Sequence, residues 1–157
     1  LIESAKYLKV ELNNFKILVV GECYGNENNY FQLAEKNNVA DVIDFCFEFV
    51  PNESVNQYFC AADLIVLPYK SATQSGVIPI AYHFDKPVVV SNVGGLPEIV
   101  QDGRTGFICE PDAKQIAERI KKYFNSDPKI FSSYISEYKR QFSWEIFVKV
   151  LLELIES

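Results

Sequence analysis

A chain of 157 residues, 48% hydrophobic and 23% charged, has the balance of one soluble globular domain able to bury a core. Its formal net charge of -6 leaves no basic face for nucleic acid. No apolar run approaches the roughly 20 residues that cross a bilayer, and the opening LIESAKYLKVEL has no signal-peptide layout.

The chain opens on an amphipathic helix, with Leu1, Ile2, Ala5, Leu8 and Leu12 at helical spacing. Beginning inside a helix, without methionine, it reads as a piece of something longer. Lys16 to Gly21 is a short apolar run ending in glycine, the mark of a buried parallel strand. Residues 29–37 read as helix and Val42 to Cys46 as a second strand. Asn52 is placed to cap a helix reaching Ala62, with Glu53 in the favourable first turn. Asp63 to Leu67 forms a third strand, stopped by Pro68, and Ser75 to Phe84 a helix. Lys86 to Ser91 is a fourth strand, Leu96 to Gln101 a short helix, and Thr105 to Cys109 a fifth strand. Amphipathic helices follow from Asp112 to Asn125, from Pro128, and from a Ser143 cap with Trp144, Phe147, Val148, Leu151, Leu152 and Ile155 on the apolar side. Strands alternating with helices give an α/β class domain, a Rossmann-like, doubly wound parallel sheet covered on both faces with C-terminal helices.

The four cysteines, at 23, 46, 60 and 109, show no metal spacing and read as reduced thiols of a cytoplasmic protein; Cys46 and Cys60 lie in apolar contexts that suggest burial. His83 is the single histidine, too little for a zinc site or a nucleophile–histidine pair.

Open α/β sheets bind ligands beyond the carboxyl ends of their strands. That rule selects the loops Gly21 to Asn29, Phe47 to Asn52 and Tyr69 to Gly76. In the last, a helix starting near Ser75 or Gly76 leaves the N–H groups of Gly76, Val77 and Ile78 without intrahelical acceptors. The helix dipole favours an anion there, and Thr73 and Ser75 add hydroxyls. Serine, threonine and glycine before a helix are equally ordinary caps and turns, and neither a Walker A loop nor GxGxxG is present. Gly94-Gly95 reads as a tight turn, and Phe45, Phe47 and Phe49, alternating along the chain, as one packed face. Phe49, at the strand end, is also placed to flank a base.

The order of these pieces says more than any one of them. LIESAKYL, FKILVVGE, VIDFCFEFVPNESVNQYFCAADLIVLPY, SGVIPIAYHFDKPVVVSNVGGLPEIVQDGRTGFICEPD and FSWEIF follow one another as in the C-terminal, donor-binding domain of the retaining GT-B glycosyltransferases, the glycogen-synthase-like group 1 (family 4) enzymes, which the chain resembles over nearly its whole length. The resemblance implies a single donor-binding domain over residues 1–157. The acceptor-binding N-terminal domain, its partner in the full-length protein, and this domain's own first strand would lie outside these residues. It implies a nucleotide-sugar donor, hexosyl transfer to an acceptor hydroxyl with retention in bacterial polysaccharide or glycolipid synthesis, no metal and no cofactor. Membrane association would be peripheral and through the other half only, and 157 residues alone would transfer nothing.

Carried over residue by residue, the diphosphate loop falls on Thr73, Gln74, Ser75, Gly76 and Val77. Gly21, Glu22, Phe47, Phe49, Lys70 and Ser71 border the donor site; no catalytic residue is assigned. The family's two glutamates, eight residues apart, fall on Ala72 and Ile80, neither of which accepts a hydrogen bond from its side chain. That departure feeds an alternative, a nucleotide-sugar epimerase or inactive relative of the fold. A receiver-like partner domain would want a denser acidic cluster than Glu22 and Glu48 offer.

Overall fold

The computed structural model describes residues 1–141 together with 146, 148, 151–153 and 155. Five parallel strands alternate with helices: α1 (Ile2–Leu8), β1 (Ile17–Val20), α2 (Asn28–Lys36), β2 (Ile43–Cys46), α3 (Asn52–Ala61), β3 (Ile65–Leu67), α4 (Val77–His83), β4 (Val88–Ser91), α5 (Leu96–Ile99), β5 (Gly106–Cys109), α6 (Ala113–Phe124) and α7 (Pro128–Gln141). The α/β reading holds, but the strands form two half-sheets rather than one. β1 pairs with β2 in register Ile17 to Ile43, and β3–β4–β5 form a second ladder with Ile65 opposite Val88 and Val88 opposite Gly106.

Strand β4 explains the larger half. Its valines are 0–1% exposed, the continuous apolar run of a strand covered on both faces. Side chains alternate between the faces. Val89 of β4, Val66 of β3 and Phe107 of β5 join Leu8, Ile116, Ile120, Tyr123 and Phe131 on one face. Val88, Val90, Ile65, Leu67 and Ile108 meet Ile78, Tyr82, Leu96 and Ile135 on the other. A third cluster, Ile2, Ala5, Ala34, Val39 and Ile43, seals β1 and β2 under α1 and α2, with Ile17 shared between it and the first. Helix α1 thus packs against both α2 and α6. The opposite face of β1 is open: Leu18 is 50% exposed and Val20 36%, where the sequence pattern called for burial.

The caps divide. Asp112 accepts from the Lys114 and Gln115 N–H groups at 3.0 Å and starts α6 as expected. Asn52 does not cap α3. Extended Pro51 (φ -60°, ψ 148°) occupies the cap position and Asn52 becomes the first helical residue. No residue of α3 is fully buried, and Cys60 on it is exposed, against the expectation of a buried thiol. Helix α1 stops at Leu8, four residues before Leu12, and the chain turns through Leu12 N–H to Leu8 O at 2.8 Å. Cys109 is buried, and burial pushes its thiol up to about 11. The expected last helix falls largely outside the described residues, Ser143, Trp144 and Phe147 among them. Ile146, Leu151, Leu152 and Ile155 are helical and exposed.

Candidate functional site

Beyond β3, Pro68 ends the ladder and the chain runs as an open loop to α4. Helix α4 begins at Val77, later than the sequence suggests, with Gly76 in its cap position in a helical conformation (φ -66°, ψ -15°). Ser75 is 9% exposed, and its Oγ accepts from the Val77 N–H at 3.2 Å. The serine therefore satisfies one of the N–H groups that sequence reasoning left open. The Gly76 N–H has no acceptor among the described residues. Thr73, Gln74 and Gly76 are exposed, as are Lys70 and Ser71 before them. Pro79 sits at the third helical position, where its missing N–H is harmless.

The loop is held from behind by main chain. Gly95 N–H donates to Thr73 O at 2.8 Å. A Cβ on Gly95 would come within 2.8 Å of that carbonyl, and one on Gly94, whose φ is 53°, would collide with the Ala72 carbonyl. Two glycines in succession after a buried strand are what let the β4 loop lie flat against the β3 loop. Taken alone they read as a turn; their contact is with a loop some twenty positions earlier, which no local pattern reveals.

The other expected residues gather at the ends of β1 and β2. Gly21 (φ 132°) closes β1, donating from its N–H to Cys46 O at 3.1 Å. Exposed Glu22 accepts from the Tyr24 hydroxyl at 3.2 Å. Phe47 belongs to an aromatic group with Phe45 (centroids 5.2 Å apart), Tyr30 (5.5 Å) and Phe31 (5.8 Å). Phe49 does not share that face. β2 ends at Cys46, the strand alternation ends with it, and Phe49 stands 68% exposed. The expected site residues therefore form two groups, one on each half-sheet, with no hydrogen bond between the groups.

The charge at the loop is modest. Lys70 has no ion-pair partner among the described residues and is available to an anion. Ala72 is half-buried against the second core cluster, and Ile80 is 40% exposed; neither side chain offers a polar atom to a ribose. Among the described residues no group of three or more His, Cys, Asp or Glu is placed to hold a metal ion, and no helix is long and apolar enough to cross a membrane.

A family model described as glycosyl transferases group 1 matches residues 1–126. The chain belongs to that family. It is 30% identical over 147 residues to the D-inositol 3-phosphate glycosyltransferase of Mycolicibacterium smegmatis, a match covering 90% of this chain and 34% of that protein. The chain thus spans about a third of the length of this curated relative. Among solved structures it resembles the C-terminal domain of a glycosyl transferase group 1 protein from Francisella tularensis, with a TM-score of 0.79 and 17% identity over 91% of this chain and 77% of that one. It also resembles the Anabaena protein HepE in complex with UDP, with a TM-score of 0.75 and 19% identity over 99% of this chain and 44% of that one. At such identities the likeness concerns the fold, and it agrees with the Rossmann-like half of a GT-B enzyme.

Proposed function

We propose that these residues form the donor-binding half of a group 1 glycosyltransferase, which moves a sugar from a nucleoside diphosphate sugar to an acceptor hydroxyl. Family membership over residues 1–126 carries the reading. The loop at the carboxyl end of β3, braced by Gly94 and Gly95, supports its placement on this chain. The matching family is one of transferases, which favours this reading over the epimerase alternative. UDP is the first nucleotide to try, since HepE, of the same fold, was crystallised with it.

In such a transfer the bond between the anomeric carbon and the diphosphate oxygen breaks and a bond to the acceptor oxygen forms. The acceptor proton is released, and the leaving diphosphate gains negative charge. The chain's part is electrostatic: fixed N–H and O–H donors aimed at that charge lower the barrier without reorganising. Here the donors are the Gly76 N–H, the Thr73 hydroxyl, the Gln74 amide and the Lys70 ammonium, on a loop whose back is pinned by Gly95. The acceptor, the group that takes its proton and the remaining diphosphate cations belong to the rest of the protein, the N-terminal domain that the resemblance implies. No metal or cofactor is assigned to these residues, and association with a membrane surface is left to that other half.

Titration of the isotope-labelled protein with UDP and with GDP to millimolar concentration tests the placement. Amide shifts are expected at Thr73 to Val77, with a smaller set at Gly21, Glu22 and Phe49. Silence at Thr73 to Val77 with both nucleotides would sink the assignment.

A further inference from the structure

Strand β2 is the outer strand of its half-sheet, and no described strand pairs with its far side. Gly21 N–H donates to Cys46 O, so alternation along a parallel strand turns the main-chain groups of Asp44 and Cys46 toward β1. Those of Ile43 and Phe45 point outward and have no partner among the described residues. Beside that edge runs a groove of about 310 Å³, walled by Phe31, Ala34 and Glu35 of α2 and by Ala40 of the 3-10 turn Ala40–Val42. Ile43, Asp44 and Phe45 of β2 complete it. Phe31 meets Phe45 edge-on with centroids 5.1 Å apart, yet is 42% exposed. Among the described residues no lysine or arginine lines the groove, and its two acids are exposed. Glu35 has no ion-pair partner among the described residues. Asp44 Oδ1 accepts from Lys16 Nζ at 2.9 Å, which leaves Oδ2 open. None of the expected donor-site residues lines this groove, which follows the lateral edge of the sheet.

We propose that this edge takes up an extended segment of a partner protein, with alternating apolar and basic side chains, as an added strand. In such pairing the main chain supplies affinity and the alternate side chains supply selectivity. Side chains of an added strand stand on the same faces as the residues they adjoin. Those beside Ile43 and Phe45 enter the groove under α2, where Phe31 and Ala34 offer apolar surface. Those beside Asp44 stand on the other face, where a basic group meets the open carboxylate oxygen. Glu35 adds a second acid, and the net charge of -6 favours the approach of a basic segment. The same charges disfavour a second copy of this chain. Two β2 strands paired antiparallel through Ile43 and Phe45 set Asp44 directly opposite its own copy, and like charges so placed destabilise a sheet. Charge on a short edge is a common guard against self-pairing, and here it leaves a basic strand as the occupant that fits.

An NMR titration of the 157-residue chain with a blocked peptide of alternating lysine and valine tests this without reference to nucleotide binding. At saturation the Ile43 and Phe45 amides are expected to exchange about tenfold more slowly, whereas Asp44 and Cys46, already paired with β1, change little. Glu35→Gln combined with Asp44→Asn is expected to weaken the peptide about tenfold, the scale of two exposed charge pairs. Both side chains are exposed, so the double variant keeps the fold. A glutamate–valine peptide of equal length is expected to leave both amides as they were. Unchanged exchange at Ile43 and Phe45 with millimolar lysine–valine peptide overturns the proposal, as does equal affinity for the double variant. Equal protection by the acidic peptide overturns the choice of a basic partner. Protection that grows with protein concentration, without peptide, assigns the edge to a second copy instead.

Discussion

The Gly95 N–H meets the Thr73 carbonyl at 2.8 Å, so the loop after β4 sets the shape of the loop after β3. A residue with no side chain of its own thereby controls the segment proposed to receive the diphosphate.

Gly94→Ala is expected to do two kinds of damage. The φ of 53° costs an L-residue about 1–2 kcal/mol, and the new methyl collides with the Ala72 carbonyl. A fall in melting temperature of roughly 4–8 °C follows from about 2 kcal/mol in a domain of this size, together with loss of nucleotide-induced shifts at Thr73 to Val77. Gly103→Ala is the control. Its φ is 75° with nothing within 4 Å of the added carbon, so it carries strain alone and should leave those shifts intact. Equal effects of the two substitutions on nucleotide binding would argue against the loop contact.

Tyr82 gives a prediction in alkaline solution. Its hydroxyl donates to Thr105 Oγ1 at 2.7 Å, and the same oxygen accepts from the Gln101 N–H at 2.9 Å. Burial pushes the phenol up to about 12 from its ordinary 10, against the opposing pull of the Thr105 bond. The folded pKa is raised, so this contribution is complete below pH 10 and is lost as pH rises from 10 through 12. The two-unit shift makes it on the order of 2–3 kcal/mol. Tyr82→Phe is expected to cost about 1 kcal/mol at pH 7 from the lost hydrogen bond. It should also flatten the decline above pH 10, as followed by urea unfolding at a series of pH values; an unchanged alkaline slope would refute the assignment.

Asp112 and Asn52 make a matched pair at two helix starts. Asp112→Ala should cost about 1 kcal/mol, because two N–H groups of α6 lose their acceptor, with Asp112→Asn close to neutral. Asn52→Ala should lie within a few tenths of a kcal/mol, since Asn52 makes no cap bond. Chemical denaturation of the three variants separates these outcomes.

Phe107, 1% exposed, packs edge-on to Phe131 with centroids 5.5 Å apart, and Lys122 lies over its ring at 5.2 Å. Phe107→Ala empties the centre of that cluster and is expected to cost about 3–5 kcal/mol. A shift in urea midpoint without a change in slope would show that the loss is one of packing.

What the sequence discloses here is what its short-range pattern controls. The three valines of β4 announce a strand buried on both faces because burial on both faces removes any need for alternation. The apolar run of β1 looks the same, yet Leu18 and Val20 are exposed, because cover for a strand comes from elements far away in the chain. Asn52 and Asp112 present the same local signal, yet Pro51 takes the cap position of α3 and Asn52 falls inside the helix, whereas Asp112 caps α6. The site loop is legible through its hydroxyls and glycine. Its brace at Gly94 and Gly95 is not, since the contact joins two loops across the sheet. Phe49 follows the alternation of Phe45 and Phe47 only on paper: the strand ends before it.

Helix α1 has a consequence for how the chain is made. Its flank is tied to α6, where Lys121 Nζ reaches Glu11 Oε1 at 2.6 Å across 110 positions of sequence. During synthesis the ribosome delivers α1 about 110 residues before the part of α6 that it packs against. Residues 1 to about 46 can gather early around Ala5, Ala34 and Ile43, but the side of α1 that bears Leu8 must wait until residue 120 has emerged. Contacts of such long range slow folding through the entropy of closing the intervening chain. At the usual 5–20 residues per second, that leaves α1 half-wrapped for roughly 5–20 seconds on every nascent chain.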